Sequence, residues 1–273
     1  MGISAFLPVF NEEKRIEYSL ISLQWCDEVI LLDKNSTDGT IDLAKKYGAK
    51  IYLMENSDNY NPLELNYLIK YCKKEWVILF TASDLIHPQL ASEIKRLTDK
   101  DDFDYDVIEV PFKRYILGIE DKRSPWKSGY ASMVFRKNIL KINNDRVHDA
   151  LNLDTEKRYK LKGPKDQCIY HLTHETVDSM MNRHLRYWRA EAQFAGNETL
   201  KKAFYSVLYA IKTIIINRKS FLLGWKGVML GFAFITYYMM SFVYKWEKKY
   251  STAEKTYTDI RKQIHNDWAN HKK

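Results

Sequence analysis

Across 273 residues the chain has only 3 cysteines, 6 prolines and 10 glycines. Cys26, Cys72 and Cys168 are too few and too scattered for a disulfide framework or a thiolate zinc site, so a reducing compartment is expected and no catalytic thiol is indicated. Little Gly and Pro, with 45% hydrophobic and 14% aromatic residues, excludes collagen-like, linker-like and disordered chains. Repeats and low-complexity segments are also missing, and no basic segment followed by an apolar one suggests a secretory signal. One further lack is local: residues 199–246 contain no Asp or Glu, yet hold Lys201, Lys202, Lys212, Arg218, Lys219, Lys226 and Lys245.

That gap directs attention to where the formal charge of +8 resides. Residues 1–100 carry 12 basic and 15 acidic side chains, leaving 31 and 20 for the remainder, so the entire excess lies in the second part. A basic chain raises the question of nucleic acid. The acidic first part, the lack of a nucleic-acid motif and the placement of the basic residues among apolar runs argue against that partner.

Apolar runs at residues 3–9, 29–33, 50–54 and 76–80 read as strands, and helical segments are expected from residue 11, over 40–47 and over 61–72. Strands alternating with helices at this spacing predict an α/β fold with a doubly wound, mostly parallel sheet. Ligands of such sheets bind beyond the carboxyl ends of the strands, which selects residues 8–12, 33–39 and 81–87. Looser strands are expected at 107–112 and 132–135, joined through the basic loop 122–129, and the chain reads as helical from residue 175. The expected division is a nucleotide-binding and catalytic domain over 1–175 and a helical extension over 176–273.

Three segments, Pro8-Val-Phe-Asn-Glu12, Asp33-Lys-Asn-Ser-Thr-Asp-Gly-Thr40 and Trp76-Val-Ile-Leu-Phe-Thr-Ala-Ser-Asp84, resemble successive motifs of family-two glycosyltransferases of the GT-A fold. The subgroup most resembled adds glucose or heptose-type sugars to lipopolysaccharide cores. The resemblance implies an inverting transferase with a UDP- or GDP-type sugar donor and a glycan or glycolipid acceptor. It implies nucleotide-sugar contacts at Pro8, Asn11, Glu12, Asp33, Asp38, Ser83 and Asp84. Chemistry agrees for two of them: Asp33 at a strand end can accept from a base imide N–H, and Glu12 at a helix start can bond the ribose or base. Gly39 is expected to tolerate φ > 0 in the tight turn, and Asp38 either caps the next helix or contacts ligand.

Family members end the fourth strand with Asp-x-Asp, which binds a divalent metal on the donor diphosphate; here those positions are Thr81 and Ser83. Three outcomes stay open: a Mg²⁺ or Mn²⁺ site at Asp84 with His171 or His87, a metal-independent clamp by Arg123, Arg136 and the basic loop, or lost activity in a nucleotide-binding scaffold. Arg146-Val-His-Asp149 resembles the family's Val-His-Glu segment, which implies Asp149 as general base and His148 as a contact to acceptor or diphosphate. His171 and His174, three apart, suit a metal or phosphate role, and Trp126 is expected to stack on the acceptor sugar.

Residues 199–246 add twelve aromatics to their seven basic side chains, and residues 227–244 are free of charge. An interfacial hairpin on an anionic leaflet, a helix packed on the protein or a second copy, and a membrane span all remain open. Gly227 and Gly231 suit a close helix approach, through which the C-terminal helices could form a homo-oligomer. The expectation is a cytoplasmic protein, peripheral on the inner membrane.

Overall fold

The computed structural model describes residues 2–56, 63–142, 151–193 and 200–271. The first part alternates as expected: β1 Ile3–Val9, α1 Glu13–Ser22, β2 Glu28–Asp33, α2 Thr40–Lys46, β3 Lys50–Leu53, α3 Leu63–Tyr71 and β4 Trp76–Leu79. Then come β5 Asp84–Ile86, α4 Pro88–Thr98, β6 Val107–Ile116, β7 Gly129–Arg136, β8 Leu140–Ile142, β9 Leu151–Leu153, β10 Arg158–Lys160 and β11 Ile169–Thr173. The helices α5 Val177–Gln193, α6 Leu200–Lys212, α7 Trp225–Tyr250 and α8 Ala253–His271 follow, with a π-helical turn Thr213–Asn217 and a 3₁₀ turn Ser220–Leu223 between α6 and α7.

The main sheet runs β3-β2-β1-β4-β7-β6-β11-β5, with β10 beside the start of β6, and β8 and β9 form a separate pair. Strands β3, β2, β1 and β4 are mutually parallel, so their carboxyl ends emerge on one side. β7 is antiparallel to both β4 and β6, whereas β11 is parallel to β6 and antiparallel to β5. The sheet is thus mixed but mostly parallel.

Strands covered on both faces need unbroken apolar runs. Ile3, Leu7, Leu31, Ile78, Phe80 and Val134 pack against Ile16 and Leu20 of α1 and Leu90 and Ile94 of α4, while Phe6, Ile30, Leu32, Val77 and Phe135 pack against Leu65 and Leu68 of α3. The three thiols are free, and burial pushes Cys72 up to about 12, consistent with inert core cysteines.

In the extension, α7 is held by one face. The backbone oxygen of its Tyr237 accepts from Trp188 Nε1 at 2.9 Å, and its Tyr237 and Ser241 hydroxyls donate to Glu191 of α5 at 2.7 and 2.5 Å. Its Lys245 ion-pairs with the same carboxylate at 3.6 Å. The polar residues that interrupt the apolar run therefore serve contacts within the chain. A Cβ on Gly227 would fall 1.7 Å from the Ser220 carbonyl oxygen, and one on Gly231 would fall 3.2 Å from Ile214. The small-residue pair is used for close packing against this chain's own turns. Among the described residues α7 is the one helix long and apolar enough to cross a membrane.

Candidate active site

The ends of β1 and β2 are locked together by side chains from both motifs. Asp33 is fully buried, and its two oxygens accept from the backbone N–H and the hydroxyl of Ser36 at 2.8 and 2.6 Å. Asn11 and Asn35 adopt left-handed backbone, with φ of 52° and 61°, a conformation that Asn tolerates better than most residues. Asn11 N–H donates to Ser36 Oγ at 2.9 Å, and Asn11 Oδ1 accepts from Thr37 N–H at 2.8 Å. Pro8 lies in the β1 ladder opposite Leu32.

The turn differs from expectation in two respects. Gly39 has φ −72°, so its lack of a side chain does not serve a left-handed turn; a Cβ there would meet Glu13 Oε1 at 2.7 Å. Asp38 bonds the starts of two helices: it accepts from Glu13 N–H at 3.1 Å and from Thr40 N–H and hydroxyl at 3.1 and 2.5 Å. Burial opposes its charge, but these donors outweigh that effect and hold its pKa below the usual carboxylate range.

At the end of β4 the side chains are also mutually engaged. Asp84 is 1% exposed. Its Oδ2 accepts from Thr81 N–H and hydroxyl at 2.8 and 2.7 Å, and its Oδ1 lies 2.7 Å from His171 Nδ1. The buried Ser83 meets Arg15 Nη1 at 3.1 Å, and Arg15 ion-pairs with Glu12. Glu12, Arg15 and Ser83 thus bridge the ends of β1 and β4, and Glu12 is partnered by a cation of its own helix.

Asp84, His171 and Arg114 stand in lateral register across β5, β11 and β6, which places them on one face of the sheet. The Arg114 guanidinium carbon lies 5.4 Å from the Phe112 ring centroid, and that ring is 5.4 Å from His171. Burial lowers the Arg114 pKa, and the charge of Asp84 offsets part of this, so the two groups feel each other. No motif marks Arg114 or Arg15; the register of β6 on β11 is what brings Arg114 to this row.

A metal finds a poor donor set here. Both oxygens of Asp84 are already bonded, and among the described residues no group of three His, Cys, Asp or Glu could hold a metal ion. His87 caps α4, its Nδ1 accepting from Gln89 N–H at 3.3 Å, and does not join Asp84. His174 also departs from His171. It has φ 54° and packs edge-on against His184 of α5, their ring centroids 5.0 Å apart. Burial, then the nearby charges of His184, Arg183, His171 and Arg114, hold His174 down to about 3; burial, then Arg183, holds His184 down to about 4.

One member of the expected clamp lies elsewhere. Arg136 is paired in register with Trp76, the first residue of β4, and ion-pairs with Glu75, so it sits at the opposite end of that strand from Ser83. Its guanidinium stacks 4.7 Å from the Trp76 ring. The loop 121–128 is docked on the extension: Ser220 donates to Arg123 O at 2.6 Å, Arg218 Nη1 donates to Lys122 O at 3.3 Å, and Trp126 packs edge-on against Phe234 at 5.1 Å. Trp126 is thus half-buried against the extension. Asp149 and His148 lie outside the described residues.

The comparisons agree with this geometry at the level of family and fold. The chain is 24% identical over 207 residues to an uncharacterized glycosyltransferase of Rickettsia bellii, covering 73% of this chain and 66% of that protein. It is 23% identical over 240 residues to one of Rickettsia typhi, covering 82% and 80%. A mannosyltransferase of Pyrobaculum calidifontis, solved with GDP-Man and Mn²⁺, superposes with TM-score 0.52 at 15% identity, covering 90% of this chain and 87% of that one. The pattern of glycosyl transferase family 2 matches residues 4–152, more than half of the chain and the part that builds the strand-end cleft. With Asp33 bonded to Ser36, Ser36 to Asn11, and the pattern matched over residues 4–152, the chain belongs to glycosyl transferase family 2.

Proposed function

We propose that the protein moves one sugar from a UDP- or GDP-type donor to a hydroxyl of a glycan or glycolipid, with inversion at the anomeric carbon. The observation that carries this is the match to glycosyl transferase family 2 over residues 4–152, whose first two motifs meet at the carboxyl ends of β1 and β2 through Asp33, Ser36 and Asn11. In the reaction the acceptor oxygen bonds the anomeric carbon, the bond from that carbon to the diphosphate oxygen breaks, and a carboxylate takes the hydroxyl proton. Asp149 is assigned that proton, with His148 beside it. The GDP-Man held by the Pyrobaculum protein of the same fold supports a nucleotide-sugar donor. Incubation with UDP- and GDP-sugars, followed by ³¹P NMR, tests the reading: release of the nucleoside diphosphate is expected, and Asp149→Asn should abolish transfer to a glycan acceptor while nucleotide affinity stays within about twofold. Failure of the chain to bind any such nucleotide would contradict it.

The acceptor reading follows from the extension. Phe204, Tyr205, Ile215, Ile216, Trp225 and Phe232 are exposed within residues 199–246, a stretch with seven basic side chains and no Asp or Glu. Exposed apolar side chains interspersed with cations fit an anionic bilayer surface. The reading that goes with that occupant is an enzyme peripheral on the cytoplasmic face of the inner membrane, acting on a membrane-anchored glycolipid of the lipopolysaccharide-core class. Light scattering separates this from self-association through the same helices, which would give a dimer without lipid.

A further inference from the structure

We infer that the donor diphosphate is held without a metal ion, by the guanidinium groups of Arg15 and Arg114 on either side of the Ser83-Asp84 turn. The inference rests on the donor reading above and adds what neutralises the diphosphate. Three observations converge on it.

The first is the chemistry at position 83. A carboxylate there would face Arg15, whose Nη1 lies 3.1 Å from Ser83 Oγ, and would ion-pair with it. With serine in place, Arg15 makes a neutral contact at this end, and its charge is balanced at Glu12 alone. A cation thus stands where the family pattern would place a metal ligand.

The second is the row across β5, β11 and β6. Asp84 is consumed by Thr81 and His171, so it anchors the row instead of offering a free oxygen. Arg114, the outer member, makes no ion pair among the described residues and lies over Phe112. A partly desolvated guanidinium that feels the Asp84 charge without ion-pairing with it keeps N–H donors to offer, and its planar fork matches phosphate oxygens.

The third is the local field. After burial, the charges of Arg183 and Arg114 are among those that keep a proton off His174, so two guanidinium groups stand near this end of β11. Such a field favours a diphosphate and opposes a divalent cation.

Calorimetric titration of the full chain with UDP, GDP, uridine and guanosine, in EDTA and again in Mn²⁺, tests the inference. In EDTA the matching nucleoside diphosphate should bind at least about tenfold more tightly than its nucleoside, and Mn²⁺ should change that affinity by less than about threefold. Arg114→Gln should weaken the diphosphate by about tenfold or more and leave the nucleoside within about twofold, and Arg114→Lys should recover part of the loss. Tightening of tenfold or more by Mn²⁺ overturns the inference on the unaltered protein, whatever the variants do. So does equal affinity for nucleoside and diphosphate, or an unchanged diphosphate affinity in folded Arg114→Gln. If neither nucleosides nor diphosphates bind, the donor reading itself falls.

Discussion

In the sheet region Trp76, Phe6, Phe80 and Phe135 are fully buried, whereas in the helices that follow Trp225, Phe232 and Trp268 are 86%, 68% and 61% exposed. The difference separates two uses of apolar surface. The first region folds around its own core, and among the polar groups it buries Asp33, Ser83 and Asp84 gather at the carboxyl ends of the strands, while Ser4 and Glu28 pair at the opposite ends of β1 and β2. The second buries one face of α7 against α5 and the turns after α6, satisfies Tyr237, Ser241 and Lys245 on Glu191, and leaves the rest of its aromatics outward. One region buries polar groups at its strand ends, and the other leaves large apolar side chains exposed.

The largest expected effect breaks the first region's function alone. Asp33→Asn removes one of the two carboxylate oxygens that Ser36 engages, together with the charge, and should weaken UDP or GDP binding by about a hundredfold in calorimetry while vesicle binding is unchanged. Next, Gly227→Ala should unsettle the second region alone. Its Cβ would overlap the Ser220 carbonyl, a backbone atom that cannot rotate away, so a loss of about 3 kcal/mol in the stability of the helices is expected. Faster proteolysis beyond residue 176 with nucleotide affinity retained is the readout; parallel loss of both would show the regions to be one unit.

The seam between them should respond to acid. His174 at the end of β11 and His184 on α5 are neutral in the fold, with pKa of about 3 and about 4, while an unfolded histidine titrates near 6.5. Below 6.5 the unfolded chain binds protons that the fold refuses, so stability falls as pH drops from 6.5 toward 4, by up to about 2 kcal/mol per ring at pH 5. Urea midpoints between pH 7 and pH 5 measure this, and His184→Gln should flatten the slope. The smallest effect is at the docking face: Lys212→Gln should reduce binding to anionic vesicles by about fivefold at low salt and leave nucleotide affinity intact.

How much of this was legible in the sequence varies with the physics of each element. β1 to β4 were readable because each is an apolar run closed by a turn or a helix start. β5 and β8 to β11 were not, since segments of three to five residues such as Asp84–Ile86 carry no period and exist only by pairing. The residues of the β1 and β2 ends stood in motifs, yet their partners did not follow from them: Asp38 binds α1 as well as α2, and Asn11 and Asn35, not Gly39, take the left-handed backbone. Arg136 looked available for phosphate because its charge was visible and its register was not. Antiparallel pairing of β7 on β4 carries it to Trp76, at the wrong end of the strand. Arg114 was hidden for the converse reason: a lone arginine in a loosely patterned stretch gains meaning only when β11 sets His171 beside it.

The account depends most on what faces the donor diphosphate at Ser83 and Asp84. A crystal grown with UDP or GDP and excess Mn²⁺, measured at the manganese absorption edge, examines that point directly. The predicted result is a base against Asp33, diphosphate oxygens on Arg15 and Arg114, and no anomalous peak between them. An anomalous peak bonded to Asp84 and His171, with Arg114 turned away from the phosphates, would contradict it.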